Sequence, residues 1–207
     1  MSTPALRDLN QRPEMPPESF SEPRFFMAYE NEIGLNRAIV RVVPYHPQWA
    51  EYFLREKELL FKIMGKTVLD IRHIGSTSIM GMPAKPILDI LVGLRRLAEV
   101  EPFVDDLNSI AYEDRGNGDE PGRRYFVKGA EQRRTHHLNF CELNGTFWTR
   151  HVAFRDYLEK NSYVAQEYAA LKRALAEKFP TDRPSYTAGK EKFVHSIMKL
   201  AAGELPG

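Results

Sequence analysis

Apolar residues change rhythm several times along this chain, and each change marks an expected element. Residues 38–43 (A-I-V-R-V-V) are rich in β-branched side chains and closed by Pro44, which predicts a first strand. From Pro47 the spacing becomes helical, with Trp49, Tyr52, Phe53, Leu60, Ile63 and Met64 recurring on one side and Pro47 suited to the first turn. A short strand over 70–74 then meets a tight Gly75-Ser76 turn, a Gly/Pro-broken connection and a second strand over 87–92. Val100, Val104, Leu107 and Ile110 predict a helix over 97–110, and residues 116–122 (G-N-G-D-E-P-G) a loop. Residues 123–127 and 135–141 read as two further strands.

After residue 145 the character changes to helix. Three helices are expected, over 146–160, 162–179 and 184–201. Val164, Tyr168, Leu171 and Leu175 form the stripe of the second, and Tyr186, Phe193, Val194, Ile197 and Leu200 that of the third. Strands mixed with helices and followed by a helical C-terminal portion define an α+β fold, a mixed sheet with flanking helices. The expected organisation is a flexible tail over 1–23, an arm or linker over 24–38, an α/β core over 39–145 and the helical portion over 146–207. The tail carries five prolines and little periodicity. Phe25, Phe26, Met27 and Tyr29 suit an arm that packs on the domain or on a second copy of the chain, so a homodimer is an expected partner arrangement.

Composition narrows the function classes. A net charge of +1 over 207 residues gives no global basic field for nucleic acid. Cys141 is the single cysteine, which excludes a disulfide framework and fits a reducing compartment. No apolar run reaches membrane-spanning length and the N-terminus lacks a hydrophobic signal core, so a cytoplasmic protein without membrane contact is expected.

The candidate chemistry gathers around residues 70–94. Gly75 permits close backbone approach, and Ser76, Thr77 and Ser78 offer hydroxyls and amides just past the turn, a place to hold an anion. Asp89 shares a strand face with Ile87 and Leu91, and a lone carboxylate in an apolar strand needs a partner. A Gly-Ser turn followed by a strand carboxylate can grip a nucleotide polyphosphate and its metal together, although a strand Asp is also commonly a capping or salt-bridge residue. On the 135–141 strand, His137, Asn139 and Cys141 share one face and His136 the other, so at most one of the two histidines joins Asp89. Arg123, Arg124, Lys128, Arg133 and Arg134 cluster around one strand pair. The first two follow Pro121-Gly122 and are placed to reach a phosphate, while the last three read as a solvated hairpin. Lys190 falls on the inward stripe of its helix, where it either snorkels to water or faces a bound anion. His151 fits a satisfied core histidine, and Lys172 flanks the Tyr168–Leu171 stripe, where solvation also explains it.

Taken together the segments V-V-P-Y-H-P-Q-W (42–49), R-H-I-G-S-T-S-I (72–79), K-P-I-L-D-I-L-V-G (85–93), P-G-R-R-Y-F (121–126), T-H-H-L-N (135–139), H-V-A-F-R-D-Y-L (151–158) and E-Y-A-A-L-K (167–172) resemble the GrpB family. That family is similar in fold to nucleotidyltransferases related to DNA polymerase beta, whose signature is a Gly-Ser turn and a strand with two carboxylates one residue apart. Here Ile87 and Leu91 stand at the neighbouring same-face positions, so the second acid is missing. The resemblance implies transfer of a nucleotidyl group from a nucleoside triphosphate to a small-molecule acceptor, with Mg or Mn as the cofactor. With it, Gly75, Ser76, Thr77, Ser78, Lys85, Arg123, Arg124, Lys172, Tyr186 and Lys190 are expected at the nucleotide, and Asp89 in catalysis and at the metal. His137 or Asn139 on the nearby strand is the candidate to replace the missing metal ligand, with His137 either that ligand or a catalytic general base. The missing acid equally suits a nucleotide- or cofactor-binding module that has lost catalysis. GrpB-like domains fused to dephospho-coenzyme A kinases point to a nucleotide or coenzyme A setting.

Overall fold

The computed structural model describes residues 33–203 apart from residue 119. The 1–23 tail and the aromatic residues 25–29 lie outside the described residues. Five strands form one sheet in the order β1-β2-β5-β4-β3: β1 (Asp70–Ile74), β2 (Leu88–Leu94), β3 (Tyr112–Asp114), β4 (Arg123–Lys128) and β5 (His136–Glu142). Only β2 and β5 run parallel; the other neighbours are antiparallel. The helices are α1 (Gln48–Met64), α2 (Val104–Ser109), α3 (Thr146–Lys160), α4 (Ser162–Lys178) and α5 (Arg183–Gly203). The chain is therefore α+β, and among the described residues no helix is long and apolar enough to cross a membrane.

The expected 38–43 strand does not form. Val43 makes a single bridge to Ala84, and the Val40 amide bonds the Pro180 carbonyl instead of a sheet neighbour. Val40 is buried and Ile39 exposed, so the β-branched run marks a packed extended segment; side-chain burial, rather than strand pairing, is what such residues favour. The 97–110 helix is broken too: a 3-10 stretch over Leu97–Phe103 contains Pro102, which has no amide to donate, and α2 begins only after it. Its two inward residues, Val100 and Leu107, are nevertheless buried. β3 has three residues, too short to announce itself by alternation, and exists by pairing with Phe126–Lys128 of β4.

The sheet is covered on both faces. One face carries Leu88, Ile90, Val92, Leu138 and Phe140 at full burial, each such aliphatic or aromatic side chain being worth about 1.5–3 kcal/mol. Helix α1 lies over this face, where Phe53 stacks on His73 at 4.8 Å and Glu56 bonds Lys128 Nζ at 2.9 Å. Lys128, expected in a solvated hairpin, is thus buried and paired, because alternation along β4 turns it inward. On the opposite face Ile74, Leu91 and Cys141 pack against Phe147 and Trp148 of α3. A separate apolar cluster joins Ile79 and Met82, beyond the Gly-Ser turn, to Leu158, Tyr168 and Ala169 of the C-terminal helices. That cluster fixes α4 and α5 against the connection between β1 and β2, and with them Lys172 and Lys190. Residues 33–38, expected to belong to an arm, are joined to this body by backbone bonds from Gly34 to Pro86 and between Leu35 and Arg134.

Candidate functional site

Asp89 and His137 are direct register partners on the parallel pair β2–β5, so their side chains emerge side by side on the α3 face. Asp89 Oδ1 lies 2.9 Å from His137 Nδ1. A third of the Asp89 side chain (34%) is open to solvent, so the acid sits in a cleft and not in a sealed core. Burial alone would raise its pKa, but the hydrogen bond and charge of His137 and the charge of Lys85 hold it below the ordinary carboxylate value. Burial pushes the His137 imidazole down, more than the Asp89 hydrogen bond lifts it. An ionised carboxylate only accepts, so Nδ1 of a neutral His137 carries the proton and Nε2 is left with a lone pair. This is the arrangement of an oriented general base.

The Gly-Ser turn closes over the same acid. Gly75 has φ +69°, and a Cβ there would collide with the Asp89 carboxylate. Only glycine both adopts this conformation without strain and lets the backbone come so near the acid. The three hydroxyls that follow divide their work. Ser78 Oγ donates to the Gly75 carbonyl at 2.7 Å, and Thr77 Oγ1 is buried 3.0 Å from His73 Nε2, so both shape the turn. Ser76 Oγ faces α4 and accepts a 2.7 Å hydrogen bond from Lys172 Nζ, which also donates to the Pro83 carbonyl at 2.5 Å.

Lys172, for which solvation was an open explanation, is 2% exposed. Burial, then the charges of Lys190, Arg173 and Lys85, push its pKa down to about 7. Lys85 is depressed to about 7 in the same way, by burial and by Arg183 and Lys190. The buried ring of Tyr186 holds two ammonium groups, Lys190 at 4.6 Å and Lys85 at 5.2 Å from its centre. Lys190 therefore does not snorkel away into water; it is half-buried beside Asp89, whose charge acts on all three lysines. Lys85, Lys172 and Lys190, which repel one another when protonated, gather with one acid and the Ser76 hydroxyl, so their full protonation leaves a surplus of positive charge. A surplus of positive charge attracts anions.

Other expected site residues go elsewhere. Arg124 is on the opposite sheet face, bidentate to Asp114 at 2.9 Å and bonded to Glu101 at 3.0 Å, so it does not join the cleft. Arg123 is on the cleft face, but its guanidinium is spent on the Asn117 and Gly118 carbonyls and on Asn139 Oδ1 at 2.8 Å. It staples the 116–122 loop to the sheet. Asn139 is buried one step beyond His137, its oxygen taken by Arg123 and its amide donating to the Ile90 carbonyl, so it offers no lone pair toward Asp89. His136 faces α1 and Glu56, and His151 stacks on Phe147 at 4.1 Å while pairing with its carbonyl.

The donor set does not fit a resident metal ion. Among the described residues no three His, Cys, Asp or Glu side chains converge to hold one. The single acid has one oxygen engaged by His137 and three lysines around it, a poor environment for a divalent cation by itself. Sequence reasoning missed Arg183, which opens α5 and whose charge reaches His137, Lys85 and Lys190. No periodic signal marks it, because it precedes the first apolar residue of its helix.

The fold and cleft define an α+β protein with an Asp–His pair set among lysines. The GrpB protein family model matches residues 39–200, and the chain belongs to this family. It is 41% identical over 170 residues to the glutamate-rich protein GrpB of Alkalihalophilus pseudofirmus, a match covering 80% of this chain and 98% of that protein. It is 40% identical over 162 residues to YqkA of Bacillus subtilis, covering 78% of this chain and 47% of YqkA. The crystal structure of GrpB from Enterococcus faecalis superposes with a TM-score of 0.75 at 36% identity, over 79% of this chain and 98% of that one.

Proposed function

We propose that this chain transfers a nucleotidyl group from a nucleoside triphosphate to a small-molecule acceptor. The observation that carries the reading is a histidine hydrogen-bonded to Asp89, whose charge also acts on Lys85, on Lys190 and on the Lys172 that bonds Ser76. In this scheme the lysines and Ser76 hold the phosphates, and Gly75 keeps the turn close enough to do so. His137 Nε2 takes the proton of the acceptor hydroxyl as its oxygen bonds the α-phosphorus, and the bond to pyrophosphate breaks. The phosphates neutralise the lysine cluster in place of the missing second acid. Magnesium or manganese, expected from the family resemblance, would have to arrive with the nucleotide, since the chain alone does not present a metal centre.

The solitary strand acid favours a second reading, a nucleotide-binding module without turnover. Pyrophosphate release, followed over a panel of triphosphates and small hydroxyl acceptors with and without each divalent ion, separates the two. Release lost in Asp89→Asn and His137→Gln supports transfer. Saturable triphosphate binding without release supports the module, and the absence of any triphosphate binding overturns both.

A further inference from the structure

Beside His137 lies an open cavity of about 1090 Å³, lined among others by Arg134, Arg115, Arg183, Tyr125 and Asn36. It is ample for a small molecule. Arg134, expected in a solvated hairpin, is 4% exposed and lines this cavity. Its Nη1 is buried with no hydrogen-bond partner. Its backbone is fixed from both sides by bonds with Leu35, at 3.0 and 2.9 Å. The acids around it serve other cations: Glu113 bonds Arg115 at 2.8 Å, and Glu131 pairs with Arg37 at 3.3 Å. A guanidinium cannot shed its proton at any physiological pH, and the nearby Glu113 charge favours it less than burial and Arg115 disfavour it, so the cation is only partly balanced in the free protein.

We propose that the cavity is an oxyanion subsite in which Arg134 binds a carboxylate or phosphate group of a small ligand, and that this ligand is the acceptor. The acceptor is accordingly an anionic small molecule, one end of it on Arg134 and its reacting hydroxyl toward His137, which lines the same cavity. The planar fork of arginine suits either oxyanion. Burial and the neighbouring Arg115 charge already depress the Arg134 pKa, the direction expected of a cation awaiting its partner. The assignment of that ligand as acceptor rests on the nucleotidyl-transfer reading; the oxyanion subsite does not.

The test is calorimetric titration and thermal melting of the full chain with inorganic phosphate and, separately, succinate. The wild type is expected to show saturable binding of at least one probe; phosphate alone identifies a phosphate ester and succinate alone a carboxylate. Arg134→Gln should weaken that binding at least tenfold while its unliganded melting temperature stays level or rises, since an unpaired buried charge is removed. Arg134→Lys, which keeps the charge, should retain the fold and bind weakly. Undiminished binding in Arg134→Gln, no saturable binding in the wild type, or a large fall in melting temperature for both Arg134 variants overturns the subsite. If Arg134-dependent binding holds while no triphosphate binds the wild type, the acceptor assignment falls and the subsite stands.

Discussion

Asp89 and Gly75 touch: the glycine backbone, at φ +69°, lies so close that a Cβ there would overlap the Asp89 carboxylate. Gly75→Ala therefore carries both a left-handed backbone strain and a steric clash. A destabilisation of roughly 1–3 kcal/mol is expected from the backbone conformation. Chemical denaturation measures it, and an unchanged midpoint would show that the turn relaxes away from the acid without penalty.

His137 owes its tautomer to Asp89, from which it is 2.9 Å away. Removing the carboxylate charge in Asp89→Asn removes the one influence that lifts the imidazole pKa against burial. The His137 pKa should fall further in the variant, as followed by proton-nitrogen NMR of the ring. A rise or no change would mean that Asp89 does not orient or charge the ring.

The lysine cluster predicts a proton linkage. Lys85 and Lys172 have folded pKa values near 7, against an ordinary 10.5. Between those values the unfolded chain holds more protons than the folded one, so these two groups make the free protein gain stability as pH rises from about 7 toward 10.5. A bound polyphosphate restores their charge. Triphosphate binding at pH 8 should thus take up protons, visible as a dependence of calorimetric enthalpy on buffer ionisation enthalpy. Affinity should weaken as pH climbs above 7. Proton release on binding would contradict the cluster's role.

Glu56 and Lys128 pair at 2.9 Å beneath α1, each about one-tenth exposed. Lys128→Met strands a buried carboxylate and should destabilise by about 3–5 kcal/mol. The double variant Glu56→Leu/Lys128→Met should recover most of that, because it removes both desolvated charges together. Denaturation midpoints of the two variants and of the wild type decide it; equal losses in single and double would show that packing, not charge, holds this contact.

An acid limb also follows from the same face. Burial depresses His73 and His136 to about 4 from an ordinary 6.5. Unfolding lets both bind protons, so stability should fall as pH drops from about 6.5 toward 4. His136→Asn should flatten that limb of the melting-temperature profile.

Periodicity was sufficient for part of what is local, though not for the 38–43 segment or the helix broken at Pro102. The spacing of Trp49, Tyr52, Phe53 and Leu60 determined α1, and alternation separated His137 from His136 before any strand had a neighbour, because a side chain's face follows from backbone geometry alone. The ordered segments around Gly75-Ser76 and Asp89 likewise sufficed for family and fold class. Which strands lie side by side was decided only in three dimensions. The β2–β5 pairing joins residues 48 positions apart and so makes Asp89 and His137 a pair. Tertiary packing brought Lys172 to Ser76 across 96 positions, used up Arg123 and Arg124 on other partners, and buried Lys128 and Arg134. A charged residue reads the same in sequence whether it meets water, an acid or an empty cavity, since the difference lies in what distant segments place around it.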